Sequence, residues 1–430
     1  RATRDLAAIL PALVATWRGL VRPAQGGRPG EPGRGDDRRS GGAGRHGRRA
    51  DRREPAFPGG GGQRSRGGER PADRLTPDEL RQVAAGVARL SAGLTRERAL
   101  AGARYMDDPR LLGAYLLFYW PISYLQARGI FSELPRRPGA ALDLGSGPGP
   151  VAFAALDAGG AEVIAADRSA QALSAARALA AALGQPLATR SWDPSRPGAL
   201  AALAPGQTFD TVTLGHVVNE LFAGEDAARR RADLLEEAAA LLRPGGSLIV
   251  IEPALRETSR QLLAVRDLLV ARGFAVRAPC LFTGPCPALV RGSDWCHAER
   301  PIDAPPLVAA IGRAAGLRKE AVKMSYLVLA PRGEGWAAPP AGRVFRIVSE
   351  PLPSKGRLRY MACGPEGRMG LSLQERHVTD RNRRFGALLR GDVIEITATE
   401  PRGDGLRLSD RSDVRVVARA GERVAPGDTA

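Results

Sequence analysis

At 430 residues the chain has room for two or three domains, and a 43% hydrophobic content is enough to fill their cores. Lys and Arg number 63 against 46 Asp and Glu, a formal net charge of +17. That balance favours a polyanionic partner, RNA or DNA, over an acidic protein, although heavy Arg use in a high-GC genome gives the same arithmetic. Aromatic residues at 5% argue against a stacking platform for single strands. No apolar run reaches the length of a membrane span, and no secretory signal with a small-residue cleavage site is visible.

Residues 1–21 carry apolar side chains at helical spacing (Leu6, Ile9, Leu10, Leu13, Val14, Trp17) and predict a helix that needs a partner surface. Residues 22–74 turn to Arg, Gly, Pro and Asp; they cannot bury a core and are expected to be disordered, a solvated linker or an arm that touches RNA. A helical region spans 75–134. It opens on Thr76 as N-cap, with Pro77 at the first helical position and Glu79 three residues on. Tyr105 and the strongly apolar run 111–121 read as a helical layer packed on a sheet, core rather than substrate pocket.

Residues 135–335 alternate strands (140–144, 162–166, 187–192, 209–214, 247–253, 274–278, 324–330) with helices. The pattern predicts an α/β fold with a mostly parallel, doubly wound Rossmann-like sheet whose ligands sit at the carboxyl ends of strands. Residues 340–430 carry short β runs at 343–349, 358–363, 368–373 and 392–399, and predict a small C-terminal β-rich, barrel-like domain. Lys355, Arg357, Arg359, Arg368, Arg376, Arg381, Arg383 and Arg384 make it basic.

The centre of the α/β part is Ala141-Leu-Asp143-Leu-Gly145-Ser-Gly147-Pro-Gly149-Pro150: a buried strand, an acid, a glycine turn and a helix start. Glycines let the backbone approach a ligand, and the free N–H groups opening the helix receive its polar groups. A nicotinamide loop has a third glycine where Pro150 stands. Gly-x-Gly-x-Gly behind an acid resembles instead motif I of the class I S-adenosylmethionine (SAM) methyltransferases. Asp167 ends the next strand, at the distance of a ribose-binding acid, and Asp193 follows the third, near an adenine amino group. Asp143, Gly145, Gly147, Gly149, Asp167 and Asp193 are the candidate cofactor residues, Asp143 holding the loop or meeting the amino-acid end. Methyl transfer from a sulfonium needs positioning more than acid–base help. Asn219 and Glu220, after the fourth strand, are the candidates for orienting a substrate amine. There is no Asn-Pro-Pro-Tyr signature, so the identity of a base is not legible.

The four cysteines are Cys280, Cys286, Cys296 and Cys363. Four thiolates suit an iron–sulfur cluster or structural zinc. The spacing C-x5-C-x9-C with a distant fourth matches neither a zinc knuckle nor a ferredoxin run, and unrelated buried thiols remain the alternative. His297 is a spare candidate ligand. Neither the cysteine-rich insertion 278–300 nor the C-terminal region shows a large core of its own, so metal bonds are expected to supply folding energy there.

Tyr119-Trp-Pro-Ile-Ser-Tyr124, the loop 143–150, His216-Val-Val-Asn-Glu-Leu221, Ile251-Glu-Pro253, Ala278-Pro-Cys280, Cys286-Pro287 and Asp294-Trp-Cys-His297 belong together. They resemble the mitochondrial small-ribosomal-subunit methyltransferase-like family, which has bacterial relatives, over residues 75–399. The resemblance implies a SAM-methyltransferase fold, a 4Fe–4S cluster on Cys280, Cys286, Cys296 and Cys363 with zinc as the rival, and association with small-subunit rRNA during ribosome assembly. It leaves an active rRNA methyltransferase and a non-catalytic assembly scaffold both open, with a small-molecule or protein methyltransferase carrying structural zinc as a third reading. Residue usage points to a high-GC bacterium and hence the cytoplasm, the mitochondrial matrix being the alternative. No membrane partner is expected, and oligomeric state is not legible.

Overall fold

The computed structural model describes residues 2–21, 74–335 and 342–424. The expected disorder of residues 22–74 falls almost wholly outside the described residues.

The first helix, Ala2–Val21, buries Leu6, Leu13, Val14 and Trp17. It is pinned to its neighbours by Arg18 on Glu79 (3.0 Å) and by Arg128 on Asp5 (3.1 Å). The helix Pro77–Ser91 begins with a complete capping box: the Glu79 amide donates to Thr76 Oγ1 (3.1 Å), and the Thr76 amide donates to Glu79 Oε2 (2.8 Å). The apolar run then forms Pro109–Ala114, a π-helical turn at Tyr115–Tyr119, and Trp120–Phe131. Pro121 explains the turn. It has no N–H for the Leu117 carbonyl and its ring crowds that carbonyl, so the helix widens just before it. Gly113 is required by close approach, since a Cβ there would lie 2.6 Å from Trp17 Cδ1. Among the described residues no helix is long and apolar enough to cross a membrane.

The sheet comprises β1 Gly139–Leu144, β2 Gly160–Asp167, β3 Leu187–Ser191, β4 Phe209–Gly215, β5 Leu242–Pro253, β6 Val276–Ala278, β7 Ala298–Pro301 and β8 Ala321–Leu329. Its order is β3-β2-β1-β4-β5-β8-β6, with β7 also on β8. The first five are parallel, whereas β8 runs antiparallel to β5, β6 and β7, so the sheet is mixed at one edge. Alternating side chains serve two cores. Ala141, Val163, Ile249 and Ile251 face the helical layer, and Leu142, Leu144, Val212 and Val250 face the opposite one. The order reverses between β1 and β4, which opens a crevice at their carboxyl ends.

The C-terminal β unit contains β9 Val344–Ile347, β10 Leu352–Ser354, β11 Arg357–Gly364, β12 Gly367–Gln374, β13 Val393–Ile396, β14 Thr399–Arg402, β15 Gly405–Leu408 and β16 Val414–Ala418. They form one sheet in the order β14-β15-β12-β11-β9-β13-β16, with β10 on β11. Here one expectation is corrected. The unit has its own core, built on Phe345, Ile347, Tyr360, Leu371, Phe385 and Ile394, because alternate residues of short strands converge from many directions. Arg368 is corrected too. It is not part of an exposed basic face: its side chain turns inward beside Cys363.

Candidate functional site

The glycine loop takes the conformation its residues predict. Gly145, Gly147 and Gly149 have φ of +68°, +53° and +82°, in the left-handed region that L side chains avoid. A Cβ on Gly145 would also lie 2.5 Å from Val217 Cγ2. The Gly145 and Ser146 amides donate to the Ala166 carbonyl (2.8 and 3.0 Å). The Gly147 amide donates to Asp167 Oδ2 (2.8 Å), and the Ser169 amide to Asp167 Oδ1 (2.7 Å). Asp167 therefore clamps the loop and the next helix start with one carboxylate. From the far side the Trp120 indole N–H holds the Pro148 carbonyl (3.0 Å).

A cavity opens over this loop. Gly145, Gly147, Asp167, Trp192 and Asp193 line it on one side, Tyr105, Met106 and Glu220 on the other. Arg168 ties down the segment before Tyr105 by donating to the Gly102 and Ala103 carbonyls (2.9 and 2.8 Å). Asp193 accepts from the Ser195 amide and hydroxyl (3.0 and 2.7 Å), which hold its carboxyl below the usual range. Asp143 and Gly149 are not part of the cavity wall. Asp143 is buried beneath it, accepting from Thr213 Oγ1 (2.6 Å) and the Ala152 amide (3.1 Å), and so braces the helix that Gly149 caps.

Asn219 and Glu220 part company. Glu220 lines the cavity, accepting from the Gly102 amide (3.2 Å) and the Tyr105 hydroxyl (3.4 Å). Asn219 faces a second cavity instead, its Oδ1 held by Arg98 (2.8 Å) and its amide by Glu252 Oε1 (3.2 Å). The second cavity adjoins the first through Tyr105, Tyr115, His216 and Glu220. These tyrosines, expected in the core with Phe118, Trp120 and Tyr124, are wall residues.

Burial dominates the local acid–base chemistry. It raises Asp143 to about 7, Glu220 to about 7 and Glu252 to about 8, and it lowers His216 to about 4. Glu252 Oε2 is buried with no hydrogen-bond partner. A carboxyl whose folded-state value is raised contributes stability that is complete below its unfolded value, about 4, and is lost as pH rises through the folded value. The ligand-free protein is therefore expected to melt at progressively lower temperature as pH rises from about 4 to about 8, the loss from these groups levelling off above that. Glu252→Gln is expected to flatten that slope. Thermal melts across the range check both, and an unchanged slope in Glu252→Gln contradicts the assignment.

The four cysteines lie together. Cys280, Cys286, Cys296 and Cys363 line one cavity between the insertion and the C-terminal β unit. Arg266, Arg346, Arg368 and Arg390 line it too, and Arg346 Nε and Arg368 Nε and Nη1 are buried without hydrogen-bond partners. Burial, helped by the neighbouring thiols, pushes Cys286 and Cys363 up to about 12. His297, which stacks on Trp295 at 4.2 Å, reaches the same cavity. Among the described residues no three His, Cys, Asp or Glu side chains are gathered as a ready ligand set for a metal ion. The sulfurs share a cavity without closing on a point.

Five parallel strands in the order β3-β2-β1-β4-β5, an antiparallel β8 inserted before β6, and an acid-preceded glycine loop after β1 define the class I SAM-methyltransferase fold. Solved structures similar to this chain include an O-methyltransferase family protein from Burkholderia thailandensis: 17% identity, 60% of this chain and 74% of that one covered, TM-score 0.36. A ribosomal protein L11 methylase from Lactobacillus delbrueckii subsp. bulgaricus shows 18% identity, 49% and 78% coverage, and a TM-score of 0.30. A putative RNA methyltransferase from Pyrococcus horikoshii shows 14% identity, 50% and 84% coverage, and a TM-score of 0.30. No curated protein matches the chain. The model of the mitochondrial small ribosomal subunit Rsm22 family matches residues 115–406, and the chain belongs to that family.

Proposed function

We propose that this protein is a SAM-binding, methyltransferase-like factor that acts on the small ribosomal subunit by docking on its rRNA, with a 4Fe–4S cluster on Cys280, Cys286, Cys296 and Cys363. The observation that carries the reading is the loop clamped by Asp167 beneath a cavity, in a chain of a small-subunit family. SAM, when bound, supplies an activated methyl group. In this reading the Gly145–Gly147 backbone receives its amino-acid end, Asp167 its ribose hydroxyls and Asp193 its adenine amine. A cationic ligand also suits a cavity edged by Asp167 and Glu220, since nearby positive charge favours their ionised forms. Asn219 and Glu220 lie where an acceptor amine is to be oriented: Glu220 from within the cavity, Asn219 from the adjoining one.

The cysteine cavity fits a cluster by its donor set. Four soft thiols meet guanidinium groups whose buried N–H bonds lack partners, and thiolate ligation brings the negative charge they need. Zinc would draw every sulfur to about 2.3 Å from one centre. A cluster gives each thiolate its own iron, which suits sulfurs spread around a wall. The group's role in this reading is to fasten the insertion to the C-terminal β unit.

Exposed Lys355, Arg359, Arg376, Arg381, Arg383 and Arg384 offer the β unit's surface to phosphates. Its rRNA affinity is expected to fall steeply with salt; a flat response counts against RNA as partner. A deletion strain compared with one carrying Gly145→Val, which blocks the loop, separates the two remaining alternatives. Lost rRNA methylation in both supports an enzyme; defective particles with methylation intact support a scaffold.

A further inference from the structure

We infer that the second cavity, beyond Glu220, is an acceptor pocket for one unpaired nucleotide whose base carries an exocyclic amine. The inference rests on the proposed function for its ligand being RNA and for the side from which a methyl group arrives.

The pocket is shaped for a flat ring. Tyr115 and Tyr119 stand four residues apart on one helix face, their rings 5.9 Å apart and only 26° from parallel. Both line the pocket, and Ile122 and Leu255 add apolar surface. Bases stack on such walls whatever their identity.

Its polar groups choose among bases. The Gln126 amide nitrogen donates to the Lys323 carbonyl (2.9 Å), so Gln126 Oε1 is the atom facing His216 Nε2 at 2.7 Å. A carbonyl oxygen only accepts, so His216 carries its proton on Nε2 and keeps Nδ1 as an acceptor. Burial keeps this imidazole neutral at physiological pH. Glu220 adds a carboxyl at the junction of the two cavities, a second acceptor once it is ionised above about 7. Two acceptors set in a pocket wall satisfy a ligand N–H and leave a ligand carbonyl facing lone pairs. Cytosine and adenine present an amine; uracil presents a carbonyl at the equivalent position.

The rim is mixed in charge, with Glu299 and Glu320 beside Arg98, Arg318, Lys319 and Lys323. Arg318 and Lys319 line the pocket, and among the described residues neither has an ion-pair partner. Lys319 is partly buried, and Lys323 beside it is already paired with Glu299 (2.8 Å), which leaves Lys319 for an incoming phosphate.

The test uses two end-labelled single-stranded RNA octamers, one all uridine and one with a single central cytidine, titrated with the full chain by anisotropy without SAM at about pH 8.5, where Glu220 is ionised. The cytidine octamer is expected to bind about tenfold tighter, the discrimination of a site built to pair a ligand N–H. Ala321→Trp, which fills the pocket from β8, is expected to erase the preference while leaving all-uridine affinity intact. Tyr119→Ala removes a wall without adding bulk and is expected to weaken the preference likewise. Equal affinities for the wild type, or a preference that survives both substitutions, overturns the inference. SAM uptake with equal octamer affinities sinks the pocket and spares the cofactor reading. A cytidine preference without SAM uptake does the reverse.

Discussion

Cys363→Ser is expected to bleach the anaerobically purified protein and to loosen the C-terminal β unit from the rest of the chain. Wild-type protein should be brown, with the broad visible absorption of thiolate-ligated iron. The strand register explains why Cys363 is decisive. It lies opposite Arg346 on β9 and opposite Arg368 on β12, and side chains directly opposite on neighbouring strands share a face. One thiol is thus flanked by two guanidinium groups with unpartnered N–H bonds. With every cysteine protonated these buried cations are poorly compensated, Arg368 by Asp294 at 3.7 Å and Arg346 by the Gly391 carbonyl (3.0 Å), and a poorly compensated buried charge is costly. Ligation deprotonates the thiols, and structural metal binding supplies on the order of 10 kcal/mol in small sites.

Direct polar links across the same boundary are sparse. Among the described residues, Arg368 approaches Asp294 at 3.7 Å, Arg390 approaches Glu299 at 4.0 Å, Ser132 Oγ donates to the Gly421 carbonyl (2.6 Å), and Arg423 reaches the Pro135 carbonyl (3.3 Å). The β unit has its own core, so losing the cluster should undock it rather than unfold it. Limited proteolysis should release it from Cys363→Ser faster than from wild type, with near-native circular dichroism. A colourless wild type holding stoichiometric zinc, or a Cys363→Ser variant with full iron and colour, shows the assignment to be wrong.

What the sequence made legible follows the range of the forces involved. The glycine loop, the capping box at Thr76 and the alternating strands are local: turn chemistry and side-chain period decide them within a few residues. What escaped depends on distant partners. β7, Ala298–Pro301, is short and charged, and its strand state comes from pairing with β8. Arg368 reads as surface charge until β12 is registered against β11, which turns it toward Cys363. Tyr115 and Tyr119 have the composition of a core, yet they line a cavity while Trp120 and Tyr124 remain buried. Asp143 and Asp167 both read as cofactor acids, Asp143 as the one that holds the loop or meets the amino-acid end and Asp167 as the ribose acid. Their hydrogen bonds divide the labour: Asp143 braces the helix from beneath, and Asp167 meets the cavity. The cysteine spacing was uninformative for a related reason. The cavity is assembled from the insertion and the β unit, whose sequence separation says nothing about their distance in space.

That division leads to the second large effect. Calorimetric titration with SAM is expected to give a measurable heat, and Asp167→Ala is expected to weaken binding at least a hundredfold. The carboxylate accepts from the Gly147 amide of the loop (2.8 Å) and the Ser169 amide at the next helix start (2.7 Å). Hydrogen bonds to a charged group are worth about 1.5–3 kcal/mol each, and 1.4 kcal/mol is about a factor of ten. Removing the side chain frees the Gly147 amide and relaxes a loop whose left-handed glycines have no other tie to β2 beyond the Ala166 carbonyl. It also removes the acceptor proposed for the ribose hydroxyls, so the loss of order and the loss of contact act together. Asp193→Ala should be milder, no more than about tenfold, because Asp193 is half-exposed and its bonds to Ser195 shape only its own turn. The ranking of the two acids is the sharper readout, since a general destabilisation would weaken binding in both without separating them. No heat with wild type, or Asp167→Ala binding as tightly as wild type, removes SAM from the proposed function and leaves the fold as a scaffold alone.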